Sequence, residues 1–220
     1  MGYLRGARLV HFNDRLNISA ETMKITAIKQ QVKNPERVSV FVDEKYSFSF
    51  SLDELVKYKI AKDQELSAGD VKKFKKLSDD GKLRQRCLEW LLNRPHSTRE
   101  FKDYLYRKKA DPDLTQKFIE EFTTRGYLDD VKFASWFIDL QARKNKSQRA
   151  IRMELIRKGI SGEALDTALE AEPIDEEAAL RELIAKKRTL SRYQADPLKL
   201  KRYLVGQGFS YDLIKRLLDS

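Results

Sequence analysis

Three stretches decide the fold: STREFKDYLYRK at residues 97–108, SQRAIRMELIRK at 147–158 and DPLKLKRYLVGQG at 196–208. Phe101, Tyr104 and Leu105 in the first stand at the same relative places as Ile151, Glu154 and Leu155 in the second and Leu200, Tyr203 and Leu204 in the third. The pattern returns after 50 residues and again after 49, a period that belongs to stacked helical repeats. Ahead of each stretch lies an apolar helix, marked by Cys87, Leu88, Leu91 and Leu92, then Phe133, Trp136, Phe137 and Leu140, then Ala179, Leu180, Leu183 and Ile184. Behind each lies another, with Phe118, Ile119 and Phe122, then Leu165 and Leu169, then Leu213, Ile214 and Leu217. Breakers fall between them at Pro95, Asp111-Pro112, Gly159, Gly162, Gly206 and Gly208. Each unit therefore reads as three short helices, giving repeats at 81–128, 129–172 and 173–220. A unit this small buries little surface alone, so neighbours are expected to lean on one another as an elongated, curved rod.

Upstream the pattern is β-like. Ile25, Ala27 and Ile28, then Val38, Val40 and Val42, then Tyr46, Phe48 and Phe50 alternate with polar residues, and Asp43-Glu44-Lys45 is a polar turn. Residues 37–42 and 46–51 are thus expected to form an antiparallel hairpin. Ser51-Leu52-Asp53-Glu54 is a capping box that opens a helix over residues 52–58 and covers the aromatic face. Ser67 to Asp70 repeats the signal before a second helix carrying Val71, Phe74 and Leu77, whose outer lysines Lys72, Lys73, Lys75 and Lys76 read as a solvated face. Residues 23–80 make a small α+β segment, and residues 1–22 a flexible extension ahead of Met23, which reads as the natural start. The fold class is mainly α: tandem three-helix, helix-turn-helix-like repeats behind a small α+β segment.

Of the 220 residues 35% are charged, against roughly 25% in average soluble proteins, and the mean hydropathy is -0.62. Cys87 alone cannot form an internal disulfide, and with only His11 and His96 there is no zinc-ligand set. No membrane span or secretory signal is legible, so a cytoplasmic chain is expected. Nothing with useful spacing suggests catalysis. Asp129-Asp130 precedes an apolar helix and reads as a cap, His96 lies in a loop, Cys87 lies on an apolar stripe, and Trp90 and Trp136 read as packing within or between repeats.

The net charge of +10 is unevenly spread. Between residues 141 and 158, Arg143, Lys144, Lys146, Arg149, Arg152, Arg157 and Lys158 face only Glu154. Between 181 and 202, Arg181, Lys186, Lys187, Arg188, Arg192, Lys199, Lys201 and Arg202 face Glu182 and Asp196. The clusters occupy the same place in consecutive repeats, so stacking aligns them into one basic stripe. Such a stripe can follow a phosphate backbone or fit an acidic groove on a protein filament.

Gly126-Tyr127-Leu128-Asp129-Asp130, Phe133-Ala134, Phe137, Arg143, Lys146, Ile151-Arg152, Glu154-Leu155 and Lys158-Gly159-Ile160 resemble the central signature of the RecX family, modulators of the bacterial RecA recombinase. The likeness continues into Gly208-Phe209-Ser210-Tyr211-Asp212 with Ile214, and back into Arg94-Pro95 with Ser97, Glu100 and Leu105. The segment from Met23 resembles the amino-terminal extension of longer members. The resemblance implies a protein without catalytic activity of its own that binds in the groove of the RecA filament on single-stranded DNA and inhibits ATP hydrolysis and strand exchange; a monomer without cofactor or metal is expected. Its contacts would be Arg143, Lys144, Lys146, Arg149, Arg152 and Lys158 in the middle repeat and Lys187, Arg188, Lys201 and Arg202 in the last. The alternative is a module that binds single or double strands by itself and acts by competing for DNA. One departure concerns the first repeat, where Lys109-Ala110 stands for the Lys-Gly pair expected after the second helix.

Overall fold

The computed structural model describes residues 22–219. The extension expected over residues 1–22 lies outside the described residues except for Thr22. The chain divides after Leu83 into two compact units.

In the first unit β1 (Met23–Gln31), β2 (Asn34–Val42), β3 (Lys45–Ser51) and the short β4 (Glu65–Leu66) pair antiparallel in the order β3-β2-β1-β4. The expected hairpin is β2 and β3, with Val38 opposite Phe50 and Val40 opposite Phe48. Its two-residue loop puts Asp43 and Glu44 at φ of 48° and 66°, a conformation that glycine and asparagine usually supply. Bonds to β1 hold it: Asp43 Oδ1 accepts from the Lys24 amide, and the Glu44 amide donates to Thr26 Oγ1, each at 2.9 Å. Ile25, Val40, Phe48, Phe50, Leu66, Val71 and Phe74 form the core. Burying each such side chain contributes about 1.5–3 kcal/mol.

The capping box is present at α1 (Leu52–Lys57), with both Ser51 and Glu54 bonds made. The second helix differs from expectation. It does not end at the expected boundary after residue 80: α2 (Ala68–Asn93) continues through Gly81, and its Cys87 and Leu91 are buried. Glycine inside a helix costs up to about 1 kcal/mol against alanine, and here it serves a close approach: a Cβ at Gly81 would stand 2.3 Å from Glu54 Oε1. That carboxylate closes the α1 cap, so Gly81 is space for a cap rather than a helix stop.

The second unit contains α3 (Thr98–Arg107), α4 (Pro112–Thr124), α5 (Asp130–Ala142), α6 (Gln148–Arg157), α7 (Glu163–Ala171), α8 (Glu176–Arg188), α9 (Ser191–Gln194), α10 (Pro197–Gly206) and α11 (Tyr211–Asp219). The repeated positions are its core: Phe101, Leu105, Ile151, Leu155, Leu200 and Leu204 are all buried. Phe133, Phe137 and Ile138 gather with α6 and α7 in one cluster, and Leu180, Leu183 and Ile184 with α10 and α11 in another. Leu92, expected to be apolar packing, is 63% exposed at the end of α2. The last repeat has a fourth helix that the three-helix reading lacks: α9 fills its longer first-to-second helix link and buries Tyr193 against Tyr203, ring centroids 5.6 Å apart.

The second helices end alike. Lys109, Gly159 and Gly208 take left-handed φ of 57°, 87° and 90°. The residues after the first two, Ala110 and Ile160, donate to the carbonyls of Leu105 and Leu155 at 3.1 and 3.0 Å, the Schellman closure. The departure in the first repeat is therefore one residue earlier than the sequence comparison put it. Lys109 itself holds the glycine's place, at a cost of about 1–2 kcal/mol for the left-handed conformation.

Candidate binding face on the second helices

Contacts made twice position the second helices. Ser97 and Ser147 begin α3 and α6, their hydroxyls accepting from the amides of Glu100 and Ala150. Each hydroxyl also donates across to the next repeat, Ser97 Oγ to the Lys158 carbonyl at 2.9 Å and Ser147 Oγ to the Gln207 carbonyl at 2.8 Å. Lys158 and Gln207 cap the carboxyl ends of α6 and α10. The amino end of α3 thus meets the carboxyl end of α6, and α6 meets α10 the same way, bringing helix ends of opposite partial charge together. The turn glycines are sized for these joints. A Cβ at Gly159 would lie 2.8 Å from Arg99 Cβ, and one at Gly208 would lie 2.4 Å from Ser147 Oγ and 3.2 Å from the Ala150 amide. In the first repeat, which has no predecessor, a lysine holds that place.

A second link recurs beside the first. The amide of Thr98, first in α3, donates to Asp130 Oδ1 at 2.7 Å, and that of Gln148, first in α6, to Glu176 Oε1 at 2.8 Å. Asp130 and Glu176 are themselves first in α5 and α8. The carboxylate pair Asp129-Asp130 is accordingly two caps, Asp129 on its own helix through the amides of Val131 and Lys132, Asp130 on the preceding repeat. Sequence reading found the first role and missed the second. Aligning the repeats beyond their apolar positions exposes Ser97 with Ser147, and Gly159 with Gly208.

The ten expected contact residues fall into two groups. Lys146 and Lys158 are half-buried and committed to the fold: Lys146 Nζ lies 2.5 Å from Glu154 Oε1, and Lys158 Nζ lies 2.9 Å from Glu100 Oε1 and over the Phe137 ring. Lys187 and Lys201 are also half-buried, Lys187 over the Tyr203 ring at 5.0 Å and Lys201 donating to Tyr211 Oη at 2.8 Å. The rest are exposed. Arg143 pairs with Asp139 at 2.7 Å, Arg152 with Asp166 at 3.0 Å, and Arg188 donates to the Leu218 carbonyl. Lys144, Arg149 and Arg202 have no side-chain ion pair among the described residues. In α3 the places of Arg149 and Arg152 hold Arg99 and Lys102, both exposed. A charge count confined to the two densest clusters passed them over.

At the first joint Glu100 gathers Lys158, Arg94 Nη1 at 3.0 Å and His96 Nδ1 at 3.2 Å. Burial pushes the Glu100 carboxyl up, but Lys158 and Arg94 outweigh it and hold it below its ordinary value. Burial, with Arg94 beside it, holds the His96 imidazole below 6.5 against the pull of Glu100. His96 stacks on Trp90, and Trp136 lies under Arg94 at 5.1 Å, so Trp90 packs within its repeat and Trp136 against the preceding one. The Cys87 thiol is pushed up to about 12 by burial and stays protonated. The His96 shift makes the fold depend on pH. The unfolded state takes the proton first, so this stability is present above pH 6.5 and drains as the pH falls below it. Glu100 adds a later loss below its ordinary 4.5. Urea midpoints measured on either side of pH 6.5 should drop on acidification, and His96→Asn should remove that first step while leaving the Glu100 step.

Comparison with known proteins gives a consistent result. Residues 23–67 match the family described as the regulatory protein RecX N-terminal domain, and residues 129–169 the RecX second three-helix domain. The regulatory protein RecX of Listeria innocua is 30% identical over 198 residues, covering 88% of this chain and 74% of that one. That of Bacillus subtilis is 31% identical over 204 residues, covering 89% and 76%. Among solved structures, a crystal structure of regulatory protein RecX aligns with TM-score 0.69 at 21% identity over 90% of this chain and all of that one. RecX from Lactobacillus salivarius aligns with TM-score 0.51 at 22% identity over 64% of this chain and 95% of that one.

Proposed function

The chain belongs to the RecX family of regulatory proteins, and from that premise we propose that it inhibits the RecA recombinase by binding in the groove of the RecA filament on single-stranded DNA. It acts there as a non-catalytic monomer in the cytoplasm, suppressing ATP hydrolysis and strand exchange in recombinational repair. Its contact face is the basic side of the second helices together with the link before α6, led by Lys144, Arg149, Arg152 and Arg202, with each three-helix repeat as one contact module. Lys146 and Lys158 serve the face indirectly by fixing Glu154 and Glu100.

The observation that carries this reading is the twofold recurrence of one joint, Ser97 to Lys158 and Ser147 to Gln207. Equivalent joints present equivalent faces at a regular step, and a regular step suits a partner that is itself a polymer of identical subunits. Sedimentation tests this. RecA filaments on single strands should carry the protein down at near-physiological salt with less than one copy per RecA, and bare strands at the same salt should carry down far less. Equal recovery on bare strands would favour simple competition for DNA.

A further inference from the structure

The first unit carries a strongly charged surface that the repeat reading leaves without a role. Lys72, Lys73, Lys75 and Lys76 on α2 are all exposed, while Val71 and Phe74 between them are buried at 7% and 9% exposure. At 100° per residue the four ammonium groups spread over one continuous outer arc of the helix.

None of the four forms an ion pair among the described residues. Of the nearby carboxylates, Asp70 accepts from the Ser67 amide and hydroxyl and also feels the charge of Lys73, Asp63 pairs with Lys24 at 2.9 Å, and Asp79 pairs with Lys82 at 3.1 Å. Lys72 with Lys75, Lys72 with Lys76 and Lys73 with Lys76 stand at spacings where like charges destabilise a helix. The fold thus bears repulsion among these lysines, and an external anion would relieve it.

We propose that this lysine face of α2 is a second, independent contact for the phosphate backbone of nucleic acid. The chemistry of the patch selects that partner. Protein interfaces anchor on aromatic and arginine side chains and are depleted in lysine, and between residues 72 and 76 the only apolar side chain, Phe74, is buried. Phosphate neutralisation needs charge alone and is indifferent to sequence. The proposal stands apart from the recombinase reading, because it concerns DNA binding in the absence of any partner protein.

The test is titration of a labelled oligothymidylate, and of a duplex of equal length, with the full chain and with a variant carrying Lys72→Gln, Lys73→Gln, Lys75→Gln and Lys76→Gln. Glutamine keeps helix propensity, so the variant should melt at the same temperature or higher as the repulsion goes. Affinity for the single strand should fall, and the slope of log affinity against log salt should shrink by about 0.7 per lysine engaged, up to about 3 for all four. A matching set of Lys→Arg replacements should bind as the parent does, which separates charge from any loss of fold. Unchanged affinity and slope for both nucleic acids would overturn the proposal. So would unchanged DNA binding together with lost inhibition of RecA, which would give the face to a protein partner.

Discussion

A chain carrying Arg149→Glu and Arg152→Glu together is expected to lose inhibition of RecA ATP hydrolysis by at least tenfold while remaining folded. Reversing charges at a complementary interface replaces attraction with repulsion, and close charged contacts are worth about 2–5 kcal/mol when disrupted, which is thirtyfold or more in affinity. The folding cost is small. Arg149 has no ion pair among the described residues, and a carboxylate in the first turn of α6 complements the helix dipole. Arg152 loses its pair with Asp166, whose partners are 48% and 55% exposed, a class of ion pair worth about 0–1 kcal/mol. Circular dichroism and urea midpoints report the fold, and ATP hydrolysis on single strands reports the function. Full inhibition by the folded double variant would remove α6 from the contact face.

The joint between repeats makes the second large prediction. Gly208→Ala should destabilise the second unit by about 3–5 kcal/mol, against about 1–2 kcal/mol for Gly126→Ala. Both glycines are left-handed, at φ of 90° and 72°, so both variants share the conformational cost. Only at Gly208 does the new methyl meet the joint, 2.4 Å from Ser147 Oγ and 3.2 Å from the Ala150 amide, whereas Gly126 has open space. Ser147 Oγ cannot simply rotate away, because it accepts from Ala150 and donates to the Gln207 carbonyl. Displacing it leaves buried polar groups unpaired, at about 1–3 kcal/mol each. Equal losses in urea unfolding would show that the repeats are not tied through this contact.

These two predictions mark where the sequence was readable. The apolar spacing of Phe101 and Leu105, Ile151 and Leu155, Leu200 and Leu204 was visible because burial imposes periodicity on every repeat. Ser51 and Glu54 announced α1 because a capping box is a local device. Long-range causes were not legible. The reason for a glycine at position 81 inside α2 is hidden until Glu54, distant in sequence, is seen to need its space. The four-residue α9 depends on Tyr193 finding the third core, and Lys109 in a glycine's place carries no local signal of its left-handed turn. In the basic stripe, net charge could not separate Lys146 and Lys158, held by Glu154 and Glu100, from the exposed Arg149 and Arg202. Side-chain pairing decides that, within one repeat for Lys146 and across repeats for Lys158, and composition does not encode it.

The most direct test of the central claim is single-strand-dependent ATP hydrolysis by RecA, titrated with this protein at well below one copy per recombinase and near-physiological salt. A filament-directed regulator predicts a progressive fall in hydrolysis across that range. Hydrolysis that stays constant until the protein is abundant enough to coat the DNA would contradict it, and would make the basic face a simple competitor for the strand.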